Sequence, residues 1–167
     1  MASSYPYYKE EVREYLEKNF KESAKVLDVG AGSGTYYDLL GDYFKEIDAV
    51  EVFEPNVERF HLREKYSKVY VCDILDFKYQ YYDIIVFGDV LEHLTVSEAR
   101  EVLEYAKERC KELVVAVPYM YPQGIEEDNV YEIHKQDDLT DQVVLERYTM
   151  LMPLYKNELY GYYVLKK

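Results

Sequence analysis

One short stretch near the start of the chain, K-V-L-D-V-G-A-G-S-G-T at residues 25–35, constrains the fold more than any other. Its first half is the apolar run expected of a central parallel strand that is covered on both faces. Three glycines at alternate positions follow, namely Gly30, Gly32 and Gly34. They let the backbone turn sharply and come close to a ligand, where any Cβ would collide. The helix expected after this turn offers free N–H groups, so the stretch predicts a ligand-binding strand–turn–helix unit.

Two classes of cofactor bind at such a turn, and the glycine spacing separates them. The dinucleotide fingerprint G-x-G-x-x-G, counted from Gly30, requires glycine or alanine at position 35, where this chain has Thr35. The spacing here is instead G-x-G-x-G behind Asp28. The stretch V-L-D-V-G-A-G-S-G-T resembles the first motif of class I S-adenosylmethionine-dependent methyltransferases. The resemblance implies S-adenosylmethionine as the cofactor and S-adenosylhomocysteine as its product.

Strand and helix patterns alternate along the rest of the chain, as in a doubly wound α/β sheet. We predict parallel strands at residues 25–29, 47–53, 68–72, 83–87 and 113–117. We predict helices at residues 8–22, 36–44, 57–66 and 95–109. An irregular segment at 119–142 then precedes two predicted strands, 143–152 and 159–165. The resemblance implies one Rossmann-like methyltransferase domain over residues 1–167. Its mostly parallel seven-stranded sheet would have the order 3-2-1-4-5-7-6 and a C-terminal antiparallel hairpin.

The resemblance also implies cofactor-binding roles for residues at the ends of the first two strands. Asp28 is expected to accept from the methionine ammonium, directly or through water, while the backbone of the glycine turn lies against the methionine and ribose. The residues of that turn are Gly30, Ala31, Gly32 and Gly34. Glu51, followed by Val52, is expected to accept two hydrogen bonds from the ribose hydroxyls. Glu54 is the competing acid, but it stands where it can merely start a helix.

Two further strand ends complete the expected cofactor site. In V-C-D-I-L, Asp73 is expected to accept from the adenine amino group, and the N–H of Ile74 to reach a ring nitrogen. The stretch D-V-L-E-H-L at residues 89–94 resembles the family's fourth motif. There, Asp89 is expected to face the methionine end, and Val90 to pack near the adenine or the following helix. The ordered set of four strand ends, rather than any single carboxylate, supports the methyltransferase hypothesis.

Composition limits the partners that such a chain would bind. Its 33 acidic and 20 basic residues give a formal net charge of −13, which repels a polyanion, and no basic patch interrupts it. We therefore do not expect a nucleic acid substrate. The sequence has no signal-peptide pattern and no apolar run of membrane length, so we expect a cytoplasmic protein with no membrane partner. The oligomeric state stays open.

Acceptor chemistry is constrained by motifs that the chain lacks. The fourth strand is not followed by the Asn/Asp-Pro-Pro-aromatic tetrad of amino-methylating DNA enzymes. Neither Cys72 nor Cys110 follows a proline, as a cytosine-methylating nucleophile would, and both are expected to be structural thiols. Asp128 and Asn129 superficially offer a magnesium-binding pair, but in a loop rich in acids chance is the better explanation. We therefore predict a metal-free enzyme, without metal ligands, that acts on a small molecule or an accessible protein group.

Two histidines are candidate catalytic bases because imidazole titrates near neutral pH. His134 lies in the loop expected to cover the methyl donor, with Glu132 two residues away. His93 follows the fourth strand, where it is equally able to orient the helix or to touch substrate. Tyr119 and Tyr121 are expected to line the acceptor pocket. The alternative function is a non-catalytic S-adenosylmethionine-binding protein or partner subunit, against which the retained acids argue.

Overall fold

The computed structural model describes residues 4–166, which form one seven-stranded mixed sheet with helices packed against it. The strands are β1 (Lys25–Val29), β2 (Glu46–Glu51), β3 (Lys68–Val71), β4 (Tyr82–Gly88), β5 (Cys110–Pro118), β6 (Leu151–Lys156) and β7 (Tyr160–Leu165). The α-helices are α1 (Lys9–Asn19), α2 (Thr35–Leu40), α3 (Glu54–Arg59), α4 (Leu62–Lys65), α5 (Val96–Lys107) and α6 (Asp141–Arg147). Two 3₁₀ turns lie at Leu91–His93 and Val130–Glu132. Within residues 4–166, no helix combines the length and apolar character that crossing a membrane requires.

The sheet has the strand order β3-β2-β1-β4-β5-β7-β6, which confirms the predicted order. Strand β1 pairs in parallel with β2 on one side and with β4 on the other. Strand β7 runs antiparallel to both β5 and β6, as the predicted C-terminal hairpin requires. The chain changes direction across the sheet between β1 and β4. In open α/β sheets, ligands bind outside the carboxyl ends of the strands at such a point.

The core has two parts, one on each face of the sheet, because successive side chains of a strand point to opposite faces. Leu27 of β1 and Ile85 of β4 belong to the part covered by α5 and α6. Val26 and Ile84, their neighbours in sequence, belong to the part covered by α1, α2, α3 and α4. The central strands are thus buried on both faces, which explains why β1 and β4 have continuous apolar runs.

Helix α5 begins with the predicted capping box. The Thr95 hydroxyl accepts from the backbone N–H of Glu98 at 3.2 Å, and the Glu98 carboxylate accepts from the backbone N–H of Thr95 at 2.7 Å. Two N–H groups that the first turn would otherwise leave unpaired are therefore satisfied. This cap holds α5 directly after the 3₁₀ turn that carries Glu92 and His93, two residues of the candidate site described below.

Two predicted helices differ from the expected bounds. Helix α2 ends at Leu40 rather than at residue 44, and its last hydrogen bond runs from the N–H of the C-cap residue Gly41 to the Tyr37 carbonyl. The helix predicted at residues 57–66 begins earlier, at Glu54, and is divided into α3 and α4. The division lies at His61, whose φ of 52° is left-handed and therefore interrupts a right-handed helix.

The strand predicted at residues 143–152 is wrong in its first half, which is helical. The run Val143-Val144-Leu145 favours a strand by its β-branched composition. In the structure, Thr140 caps helix α6 by accepting from the Val143 N–H at 3.2 Å, and Val144 is buried against the core. Capping and tertiary packing outweigh intrinsic propensity here, and strand β6 begins only at Leu151.

Candidate functional site

A cavity of about 650 Å³ lies beyond the carboxyl ends of β1, β2, β3 and β4. Eleven of the thirteen residues proposed from the sequence for cofactor binding or catalysis line it. They are Gly30, Ala31, Gly32, Glu51, Val52, Asp73, Ile74, Asp89, Val90, His93 and His134. Asp28 and Gly34 do not line it. The sheet therefore gathers at one edge nearly all the residues that the sequence patterns single out.

The glycine turn approaches the neighbouring motif closely. Gly30 has a φ of +71°, and a Cβ at this position would lie 2.6 Å from Cγ2 of Val90. The Gly30 N–H donates to the Val50 carbonyl at 2.9 Å, which extends the pairing of β1 and β2 into the turn. Gly34 caps the start of α2 with a φ of 87° and faces Lys65 of α4 instead of the cavity. The backbone conformation and the limited space both favour glycine at residue 30.

Glu51 is buried at the end of β2, and the backbone fixes its carboxylate. Oε2 accepts from the Gly32 N–H at 2.7 Å, and Oε1 accepts from the Phe53 N–H at 2.9 Å. Burial raises the pKa of this carboxyl, while the two N–H groups oppose the increase. Glu54, the competing acid, is exposed and is the first residue of α3. The geometry thus favours Glu51 as the acid that faces a ligand.

Asp73 and Ile74 form the cavity wall at the end of β3. Asp73 accepts from the Leu75 N–H at 2.9 Å, so its carboxylate is held in the turn that ends the strand. Ile74 is buried beside it. Cys72, also in the wall, and the buried Cys110 are both free thiols.

Asp28 lies behind the glycine turn, which departs from the expected contact with a methionine ammonium. Its Oδ2 accepts from the Tyr66 hydroxyl at 2.5 Å, and its Oδ1 has no hydrogen-bond partner in the described part of the chain. Burial raises the pKa of Asp28 to about 7. The strand pleat explains the placement, because Asp28 points to the same face as Val26, where Tyr66 is packed.

Asp89 occupies the end of β4 in a left-handed conformation, with a φ of 56°. Its Oδ1 accepts from the Tyr160 hydroxyl of β7 at 2.6 Å. Burial raises the pKa of Asp89 to about 6, although the Tyr160 hydrogen bond and the positive charge of Lys9 oppose the increase. Tyr160 and Lys9 were not expected from the sequence, because no motif connects distant segments to a strand end.

His93 and His134 are in contact, with ring centroids 4.7 Å apart and ring planes at 78°. Nδ1 of His134 lies 2.5 Å from the Tyr121 carbonyl oxygen, and Nδ1 of His93 lies 3.4 Å from the Ile133 carbonyl oxygen. A carbonyl only accepts, so each Nδ1 carries the proton and Nε2 is left with a lone pair. Burial lowers the pKa of both rings, that of His93 to about 4, so both are neutral at pH 7.

Glu92 is a further cavity residue to which the sequence assigned no role. It is 1% exposed, and neither side-chain oxygen makes a hydrogen bond within the described residues. Burial, with the charge of Asp89, raises its pKa well above the ordinary value. Its position follows from the 3₁₀ turn after β4, which directs both Glu92 and His93 towards the cavity. The adjacent acid and histidine in D-V-L-E-H-L were the sequence signal that could have identified Glu92 as a site residue.

The loop after β5 is held against the 3₁₀ turn at Leu91–His93 by its own backbone and by Gln136. The N–H groups of Lys135 and Gln136 donate to the Glu92 carbonyl at 2.7 and 3.0 Å. The buried Gln136 amide donates to the carbonyls of Leu91 at 2.8 Å and Leu94 at 3.0 Å. These bonds bring His134 beside His93.

The two tyrosines expected in the acceptor pocket have different environments. Tyr121 lines the cavity and packs against His134, with ring centroids 5.6 Å apart. Tyr119 instead is buried in the core, where its hydroxyl contacts that of Tyr163. The expectation for Tyr119 is therefore wrong, because the alternation of β5 continues into Tyr119, just after the strand, and places it in the same part of the core as Val115 and Val117.

Comparison with known proteins agrees with this architecture. A family model described as a methyltransferase domain matches residues 1–121. The chain is 37% identical over 87 residues to ribosomal protein L11 methyltransferase of Dictyoglomus turgidum, a match that covers 47% of this chain and 28% of that protein. The chain therefore spans less than a third of that relative's length.

Solved structures of methyltransferases have the same fold. An S-adenosylmethionine-dependent methyltransferase from Clostridium acetobutylicum superimposes with a TM-score of 0.70 at 12% identity, covering 98% of this chain and 92% of that one. CalS10, an amino pentose methyltransferase from Micromonospora echinaspora solved with S-adenosylmethionine bound, has a TM-score of 0.69 at 13% identity. That match covers 95% of this chain and 90% of CalS10. Because the family model matches well over half of the sequence, this chain belongs to the family of methyltransferase domains.

Proposed function

We propose that this chain is an S-adenosylmethionine-dependent methyltransferase, forming one domain over residues 1–167, that acts on a small molecule or an accessible protein group. The observation that carries the proposal is the carboxylate of Glu51. It stands at the end of β2, fixed by the N–H groups of Gly32 and Phe53, and it borders the cavity beside the glycine turn. Each of its oxygens keeps a lone pair for a ribose hydroxyl.

The residues around the cavity fit the parts of this cofactor. We assign the ribose to Glu51, with Val52 beside it, and the adenine to Asp73 and the Ile74 N–H. The methionine end lies near Asp89, and the backbone of the glycine turn supports the centre. A cavity of about 650 Å³ is within the range of small-molecule sites, roughly 300–1,000 Å³.

The acceptor end of the cavity is assigned to the His93–His134 pair. Bound S-adenosylmethionine supplies a methyl group on a positively charged sulfur, and the protein must align the acceptor with it and exclude water. Tyr121 and the loop at residues 129–135 form this part of the wall. The neutral imidazoles are suited to act on an acceptor's proton, so we propose His134 and His93 as the catalytic residues.

The charge of the chain supports a small or protein acceptor over a nucleic acid. A formal net charge of −13 would repel a polyanion from the cavity. Asp89, a carboxyl in the cavity wall with a pKa of about 6, adds to that repulsion at pH 7. We also propose a cytoplasmic location, which rests on the sequence pattern alone.

Calorimetry with S-adenosylhomocysteine, followed by methyl transfer from labelled S-adenosylmethionine to a metabolite and peptide panel, tests the proposal. We expect binding at micromolar affinity, about −8 kcal/mol, and label in an acceptor. Binding of NAD without binding of S-adenosylhomocysteine would refute the cofactor assignment. Binding without transfer to any acceptor would favour the non-catalytic alternative.

A further inference from the structure

We propose that Glu92, His93 and His134 form a binding site for a divalent transition-metal ion at the acceptor end of the cavity. Each residue offers one ligand atom, and the three atoms lie within 4.8 Å of one another. This inference departs from the sequence-based expectation of a metal-free enzyme. His134 is far from the other two residues in sequence, and only the docking of its loop brings it to them.

The two histidines are already oriented as metal ligands usually are. In metal sites, the ring nitrogen that does not bind the ion commonly donates to a carbonyl or carboxylate, which fixes the tautomer and the ring plane. Here Nδ1 of each ring contacts a backbone carbonyl, that of Tyr121 or of Ile133. The Nε2 atoms are therefore left to bind an ion.

Glu92 provides the second, independent indication of a bound cation. Its carboxylate is 1% exposed, lines the cavity, and has no hydrogen-bond partner within the described residues. Burying an unpaired carboxylate is costly, and a coordinated metal ion is one of the few arrangements that compensates the cost. Glu132, half-buried in the same wall, acts on both imidazoles through its negative charge and adds to the attraction for a cation.

The donor set selects among ions. Two imidazoles and one carboxylate suit zinc, iron(II), cobalt(II) and manganese(II), whereas magnesium prefers oxygen ligands. Three protein ligands on one side of an ion leave other positions open, as in catalytic metal sites. The Asp128–Asn129 pair noted in the sequence does not belong to this group of residues.

The role of the ion rests on the proposed function and narrows the acceptor class to hydroxyl compounds. The ion binds the acceptor oxygen and lowers the pKa of its O–H group. The proton passes to water, and an oxygen lone pair forms the new C–O bond to the methyl carbon. The C–S bond breaks with its electron pair staying on sulfur, which yields a methyl ether and S-adenosylhomocysteine. As ligands, the histidines would hold the ion instead of taking the proton themselves.

Calorimetric titration of tag-free, chelator-treated protein with Zn²⁺, Mn²⁺ and Co²⁺ tests the site. We expect one ion per chain, with visible Co²⁺ absorption bands that report nitrogen ligands. Because changes around a metal's ligands already cost 10–100-fold, Glu92→Gln and His134→Ala should each lower the affinity by about 100-fold or more. His61→Ala is the matched control, since His61 is the third histidine of the sequence, is exposed beside Glu64 between α3 and α4, and does not line the cavity.

Titration with S-adenosylhomocysteine in the same samples separates the two proposals. Binding of this ligand without binding of any of the three ions would overturn the metal site and leave the proposed function standing. Ion binding that survives in both Glu92→Gln and His134→Ala would also overturn it. If His134→Ala fails to fold by circular dichroism, His134→Gln replaces it, and unchanged Co²⁺ bands in a folded His134→Gln protein would count against the site.

Discussion

The carboxylate of Glu51 accepts a hydrogen bond from the backbone N–H of Gly32 at 2.7 Å, which joins the end of β2 to the glycine turn after β1. Two motifs that are separate in sequence therefore form one structural unit. The second oxygen of the Glu51 carboxylate accepts from the Phe53 N–H at 2.9 Å, so the side chain is fixed before a ligand binds. Pre-organisation of this kind lowers the entropic cost of binding.

Replacing Glu51 should weaken the binding of S-adenosylhomocysteine far more than replacing Glu54. Loss of two charge-assisted hydrogen bonds to the ribose costs roughly 2–4 kcal/mol. Glu54→Ala should leave the affinity nearly unchanged, because that side chain is exposed at the start of α3. Isothermal titration calorimetry of both variants with S-adenosylhomocysteine measures the two affinities. An equal or reversed loss would show that Glu51 is not the ribose-binding acid.

Gly30→Ala should destabilise the protein, whereas Gly124→Ala should not. At residue 30 the added Cβ meets Val90 at 2.6 Å and the backbone has a φ of +71°, so we expect a loss of about 2–4 kcal/mol. At Gly124 nothing lies within 4 Å of an added Cβ, and the change should stay within about 0.5 kcal/mol. Urea unfolding measures both. Similar stabilities for the two variants would contradict the packing described here.

Asp28→Asn should remove a pH dependence of stability. Its pKa is about 7 in the folded protein and 3.8 ordinarily, so the folded state binds the extra proton between these values. Wild-type stability should therefore fall as the pH rises from about 4 to 7, while the neutral amide is unaffected. Relative to wild type, the free energy of unfolding of the variant should rise by about 2–4 kcal/mol between pH 4.5 and pH 8.

Asp83→Asn is the control for that measurement in urea unfolding from pH 4.5 to 8. The partners of Asp83, Lys111 and the Lys25 N–H, lower its pKa, so it is ionised throughout this range. Its replacement should change stability by the same amount at each pH. If Asp28→Asn showed an equally flat difference from wild type, the Asp28 carboxyl would have to be ionised in the folded protein.

Gln136→Ala should loosen the loop that carries His134. The buried amide donates to the Leu91 and Leu94 carbonyls, and its oxygen accepts from Arg147 at 3.1 Å and from Tyr148 at 2.8 Å. Leaving buried groups without partners should cost about 2–4 kcal/mol. Hydrogen exchange at the amides of residues 135 and 136, which donate to the Glu92 carbonyl, should become faster.

Gln142→Ala is the matched control, because that glutamine is exposed and bonds only Glu146 one turn away on α6 among the described residues. It should leave both the free energy of unfolding and the exchange rates of the loop unchanged. Unaltered exchange in Gln136→Ala would mean that the backbone hydrogen bonds alone hold the loop.

The parallel strands and the location of the cavity could be predicted from the sequence because their signals are local, whereas the strand order was implied by the resemblance to class I methyltransferases. Apolar runs mark strands that are buried on both faces, and polar residues directly after them must meet at one edge of a parallel sheet. The glycine turn, Glu51 and Asp73 were found in this way. The capping box at Thr95 was equally readable, since both of its partners lie within one helical turn.

Tertiary structure alone decided the features that depend on contacts between distant segments. The residues at a strand end do not indicate which helix packs on each face of the sheet. The burial of Asp28 against Tyr66 was therefore not predictable. Val143 and its neighbours favour a strand by composition, yet packing on the core made them helical. The meeting of Glu92, His93 and His134 depends on the path of a long loop fixed by Gln136. The periodicity of a sequence does not predict such a path, because the contacts that stabilise it form only between segments that are distant in sequence.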